Sequence, residues 1–123
     1  MKEIPEMQLY NNGEIKMIFS EDYVRDFRTE VTPEEIDNCK RWISEWATPR
    51  KTINRKYSSY RLKHVVETWC GKYVSSESFV IAAIESGYNA VSADGSAVNA
   101  FFNMSYERAR HENYEKSGWY HPY

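Results

Sequence analysis

Hydrophobic and polar positions along this chain follow several different periods, and each period predicts a different element. Residues 7–19, "MQLYNNGEIKMIF", set Leu9 and Tyr10 and then Ile15, Met17, Ile18 and Phe19 on either side of Asn-Asn-Gly, the pattern of a β-hairpin. "SEDYVRDF" offers Ser20 as an N-cap, with Glu21 and Asp22 in the first turn and Tyr23, Val24 and Phe27 on one face, which predicts a short helix. "TPEEIDNCKRWISEWA" reads as a longer helix. Thr32 caps it, Pro33 suits its first position, and Glu35 completes a capping box; Ile36, Cys39, Ile43 and Trp46 recur at helical spacing until Pro49 ends it.

Downstream, "SSYRLKHVVETWCG" begins on capping serines, carries Leu62, Val65, Val66, Trp69 and Cys70 on one side, and stops at Gly71. "SSESFVIAAIESG" follows after a short break, capped near Ser75 and closed by Gly87, so the two form a helical hairpin or a helix-turn-helix. In "YNAVSADGSAVNAFFNMS", Asp94-Gly95 predicts a second hairpin, although the Ala and Ser content leaves an extended loop open. A last amphipathic helix is expected from Ser105 to near Gly118, before the aromatic tail "WYHPY". The expected fold is therefore α+β and mainly helical, with an N-terminal β-hairpin, a helical hairpin or helix-turn-helix-like core, and a second small hairpin left open.

Composition narrows the class. A chain of 123 residues suits one domain, spanning 1–123, and 41% hydrophobic with 15% aromatic residues is too apolar for a disordered chain. No secretory leader pattern and no membrane-spanning run is visible, so the expectation is a cytoplasmic protein without a membrane partner. Cys39 and Cys70 lack metal or disulfide spacing and read as free thiols, and His64, His111 and His121 are too widely spaced for a metal site; no metal and no cofactor is expected.

Charge is distributed unevenly. Residues 1–45 carry eleven acids and six bases, residues 46–66 six bases and no acid, and residues 67–123 seven acids and four bases, giving −5, +6 and −3 and the net charge of −2. The basic block lies in "TPRKTINRKYSSYRLKH". Arg50, Lys51, Arg55, Lys56, Arg61 and Lys63 alternate there with Asn54, Tyr57, Ser58, Ser59 and Tyr60, ahead of His64. Hydroxyls and amides donate to phosphate oxygens, tyrosine rings stack on bases, and serines opening a helix add backbone N–H groups for an anion. A solvated linker that balances the acidic helices accounts for the same pattern. Asp22, Asp26, Glu30, Glu34, Glu35 and Asp37 form an acidic counterpart able to meet a basic groove, or an ordinary solvated helix surface.

Catalytic patterns are weaker. Ser58, Ser59, His64 and Glu67 lie close in sequence, but there is no nucleophile elbow, HExxH or phosphate-binding loop, and no enzyme is expected. A recognition helix within "SSESFVIAAIESG" would offer serines and two glutamates but no Arg, Lys, Asn or Gln to base edges.

As a set, "INRKYSSYRLKHVVE", "YVSSESFVIAAIESGY" and "NAFFNMS", covering residues 52–105, resemble small accessory proteins of bacteriophages, plasmids and other mobile elements. The resemblance implies either inhibition of a host defence complex, of the anti-CRISPR type, or regulation of nucleic-acid transactions. The expected partner is accordingly a host defence protein or ribonucleoprotein in the bacterial cytoplasm, with DNA or RNA as the alternative. Within this block Arg55, Ser58, Ser59, Tyr60, Lys63, His64, Asn99 and Asn103 are the polar positions to test.

Overall fold

The structure is a computed structural model that describes residues 18–19, 21–93 and 99–107. Its elements run β1 (Ile18–Phe19), α1 (Glu21–Phe27), a 3-10 turn (Arg28–Glu30), α2 (Pro33–Trp46), β2 (Ala47–Ser58), α3 (Ser59–Cys70), α4 (Ser76–Glu85), β3 (Ala90–Ser92) and β4 (Ala100–Tyr106). The strands form one antiparallel sheet in the order β1-β3-β4-β2.

Local signals place the helix ends. The Thr32 side chain accepts from Glu35 N, and the Glu35 carboxylate accepts back from Thr32 N, so the box is closed in both directions. Ser58 and Ser75 cap α3 and α4 by accepting from Arg61 N and Ser78 N. Gly71 ends α3 at φ 74°, a left-handed conformation that a Cβ would disfavour.

Tertiary packing departs from the expected fold in four places. Among the described residues the first strand is no hairpin arm: Ile18 pairs with Val91 and Phe19 with Ala90, so β1 joins a strand more than seventy positions downstream, and helices come after it. The proposed first arm and its Asn-Asn-Gly turn lie outside the described residues. Secondly, the helix-turn-helix reading fails on burial. α4 is buried without a break from Ser78 to Ala83, packed against both α2 and α3, and a recognition helix must leave one face open. Thirdly, the basic block after α2 is no linker, because Trp46 ends the helix and Ala47 already begins β2, with Pro49 inside the strand. Fourthly, Ser105 and Tyr106 belong to β4 and cap no helix; residues 108–123 lie outside the described set. The segment left open between strand and loop contains β3 and β4, paired through Ala90↔Phe102, Val91↔Phe101 and Ser92↔Ala100.

An aromatic chain ties the helices to the sheet. The Trp42 ring on α2 lies 6.0 Å from Phe79 on α4 and 5.3 Å from Tyr106 on β4, and Phe79 lies 5.3 Å from Phe102. Such tilted and edge-on pairs contribute roughly 0.5–1.5 kcal/mol each beyond their buried area. Alternate residues of β4, namely Ala100, Phe102 and Met104, turn into the same buried cluster as Leu62, Val66 and Ile81. Thus β4 is the inner strand on which β2 is laid, and among the described strands β2 is an edge.

Candidate nucleic-acid interface

Register along β2 explains how its cations are displayed. From Pro49, opposite Met104, to Asn54, opposite Phe102, β2 advances five residues while β4 advances two. From Asn54 to Ser58, opposite Phe101, it advances four against one, so each interval leaves three surplus residues on β2. The strand therefore leaves the ladder twice. Arg50 and Lys51 lie in the first excursion, Arg55 and Lys56 in the second, and all four side chains are exposed.

Asn54 pins the strand between the excursions. Its Nδ2 donates to Met104 O at 3.1 Å, while Lys56 N donates to its Oδ1 at 3.0 Å, so one side-chain amide supplies bonds that a regular ladder would supply through backbone. Arg50 Nη2 donates to Thr52 Oγ1 at 3.0 Å and braces the first excursion. Below the second, Tyr57 is buried with its ring centroid 4.9 Å from Tyr106; Lys56 Nζ lies 5.4 Å and Arg61 Cζ 6.0 Å over the Tyr57 ring. One buried ring thus gathers a strand cation and a helix cation.

Ion pairing separates these cations from most of the others; among the described residues Arg41, lying over the Trp69 ring, is likewise exposed without an ion pair. Arg28 and Lys40 pair with Glu85, Lys72 with Glu34, and Lys63 with Glu67 at 3.5 Å. Among the described residues no carboxylate lies within ion-pair distance of Arg50, Lys51, Arg55, Lys56 or Arg61.

Several residues expected at the interface have inward roles. Asn54 and Tyr57 are buried as described. Ser59 is also buried: its Oγ lies 2.7 Å from Ser76 Oγ, donates to Asn99 Oδ1 at 3.1 Å and accepts from Ala100 N at 2.9 Å. Asn103 is buried and its Oδ1 accepts from Asn89 N at 2.8 Å. The anion cradle expected at the start of α3 is closed, because Tyr60 N donates to Asn99 Oδ1 and Arg61 N to Ser58 Oγ. Tyr60 and His64 remain exposed, and His64 Nδ1 lies 2.9 Å from Glu67 Oε1, whereas the Ser58 and Ser59 hydroxyls bond Arg61 N, Ser76, Asn99 and Ala100 N.

The acidic set is also partly structural. Glu35 Oε1 accepts from Ser75 N at 2.8 Å and from Ser78 Oγ at 3.3 Å, which joins the starts of α2 and α4. Glu34 accepts from Lys72 Nζ at 2.6 Å, and that hydrogen bond, with the lysine's charge, holds its carboxyl below the ordinary value. Asp26, Glu30 and Asp37 are exposed; Asp22 belongs to α1, with its side chain outside the described set.

Tyr73 is the exposed aromatic that sequence reasoning missed. It stands in the connection between α3 and α4, 67% exposed, with Lys63 Nζ 5.1 Å from its ring. Its position before Val74 in a capped break was visible; its proximity to Lys63 depends on how α4 folds back on α3.

Elsewhere, Arg41, Glu45, Trp46 and Trp69 line a groove of about 290 Å3 that shares no residue with the basic strand. Among the described residues no three His, Cys, Asp or Glu converge as metal ligands, and no helix is long and apolar enough to cross a membrane. Compared with known proteins, the chain matches no family model, no curated protein and no solved structure.

Proposed function

We propose that this protein is a non-enzymatic binding protein that grips a nucleic-acid backbone with the bulged edge of β2 and the first turn of α3. One observation carries the reading: Arg50, Lys51, Arg55, Lys56 and Arg61 face solvent without a carboxylate partner among the described residues, four of them raised out of the ladder by register shifts. Charges and bulges also protect edge strands against pairing with other chains. Pro49 and either excursion would serve that end alone, whereas two excursions bearing four cations put far more charge on the edge than protection requires.

Binding would be electrostatic and tolerant of sequence. Each cation that meets a phosphate releases a condensed counterion, which supplies affinity at low salt and withdraws it as salt rises. No Asn or Gln faces outward from the edge, since Asn54 is spent on Met104, and base-edge reading therefore has little to work with there. The experiment is a binding titration of the wild type and an Arg55→Glu, Lys56→Glu double variant against labelled oligonucleotides. Weakened binding by the folded double variant supports the grip; equal binding removes it.

A second reading is the inhibition of a host defence complex that the resemblance to mobile-element accessory proteins implies. Exposed Asp26, Glu30 and Asp37 on α1, the following turn and α2 favour it, since they give the molecule an acidic surface as well as a basic one. Retention of a defence complex after nuclease treatment in a pull-down would support this reading over the first.

A further inference from the structure

The geometry points to a base-stacking platform made by Tyr60 and Tyr73, which would make single-stranded nucleic acid, rather than duplex, the ligand of this protein. The inference rests on the proposed grip of β2 on a phosphate backbone. Among the described residues Tyr60 and Tyr73 are the exposed large hydrophobic side chains, at 58% and 67%. They belong to one patch. Lys63 Nζ lies 5.6 Å from the Tyr60 centroid and 5.1 Å from that of Tyr73, so the two centroids are at most 10.7 Å apart.

Both rings are positioned rather than loose. His64 meets Tyr60 edge-on, with centroids 4.7 Å apart and planes at 89°, and the Tyr60 backbone is tied to Asn99. Lys63 is itself anchored between Glu67 Oε1 and Val74 O, with its side chain only 11% exposed, so the ammonium that holds both rings is fixed from behind. Prearranged rings stack on a base at a smaller ordering cost.

Chemistry then selects the ligand. A ring this exposed offers its face to a flat apolar partner, and the neighbouring cations ask for negative charge; an unpaired nucleotide carries both. Duplex bases hide their faces inside the stack and leave only phosphates to the cations. Tyr60 and Arg61 both belong to the first turn of α3, so platform and grip share the start of one helix.

Fluorescence anisotropy with oligo(dT), oligo(U) and a duplex of the same length tests this at fixed salt on the full chain. The wild type should prefer the single strands, and Tyr60→Ala or Tyr73→Ala should each lower single-strand affinity by about 5- to 150-fold, the range measured for loss of one base stack. Tyr60→Phe and Tyr73→Phe should keep it, because the ring face remains. Folded alanine variants with an unchanged single-strand to duplex ratio would overturn the platform, as would a wild type that binds both equally. Equal binding with a steep loss on added salt would leave the phosphate grip standing, whereas binding to neither probe would overturn grip and platform together.

Discussion

Asn54 and Met104 are joined across the edge of the sheet by a side chain where a backbone bond would ordinarily run: Asn54 Nδ2 donates to Met104 O at 3.1 Å. The same amide accepts from Lys56 N, so one residue closes both departures of β2 from its partner. Asn54→Ala leaves a strand carbonyl and Lys56 N without these partners. The expected cost is about 1–3 kcal/mol of folding stability, the desolvation penalty of an unsatisfied buried group. Urea denaturation of the variant measures it, and an unchanged midpoint would show that the edge closes without this side chain.

Ser59 sets structure apart from binding within the basic block. Its Oγ connects Ser76, Asn99 and Ala100 N in a buried network. Ser59→Ala should therefore destabilise the fold by about 1–3 kcal/mol in chemical denaturation. At temperatures where the variant is fully folded, its oligonucleotide affinity should equal that of the wild type; a selective loss of affinity would place Ser59 at the interface after all.

Glu85 gives stability a predictable pH dependence. The hydrogen bond from Arg28, helped by Lys40 at 2.8 Å, holds its carboxyl below the ordinary value of 4.5 against the opposing effect of burial. A carboxyl whose folded pKa is depressed contributes stability that is present above its unfolded value and is lost as pH falls through the folded one. Wild type should thus exceed Glu85→Gln in stability at neutral pH, and the gap should narrow once pH drops below about 4.5. A gap that stays constant into acid would refute the assignment.

Both thiols are free, but their surroundings differ. Cys39 is fully buried, and burial pushes its thiol pKa far up, with Cys70 and the nearby carboxylates of Glu35 and Glu67 adding to the effect. Cys70 is partly exposed and donates to Lys72 O at 3.6 Å. The thiolate is the reactive form. A chromogenic thiol reagent should accordingly modify Cys70 alone in the native protein and both cysteines in denaturant; fast native modification of Cys39 would contradict its burial.

What could be read from the sequence was local. Thr32, Pro33 and Glu35, then Ser58, Gly71 and Ser75, mark helix ends because each satisfies or frees a backbone group within a few residues. The hydrophobic run "FVIAAI" is legible too: six consecutive apolar residues cover every side of a helix, and such a segment is buried rather than offered to a groove. Nothing comparable announced β2. Its twelve residues lack alternation, contain Pro49 and carry four cations, and its partner β4 lies about fifty residues further on. Strand identity there comes from pairing, with Asn54 buried where a periodic pattern would place an apolar residue. The candidate interface was legible as a charge block, but its outward and inward members were not. Tyr57 and Ser59 turn in because Tyr106, Ser76 and Asn99 meet them, whereas Tyr73 reaches the patch through the fold-back of α4.

The most direct test of the central claim is the salt dependence of oligonucleotide affinity, plotted as log K against log salt concentration for the wild type and the Arg55→Glu, Lys56→Glu variant. With Arg50, Lys51, Arg55, Lys56 and Arg61 all engaged, a single strand should give a slope of about −3.5, at about −0.7 per phosphate neutralised, and the variant a clearly shallower one. A wild-type slope near zero, or one that the double change leaves as steep, would contradict a phosphate grip on the β2 edge.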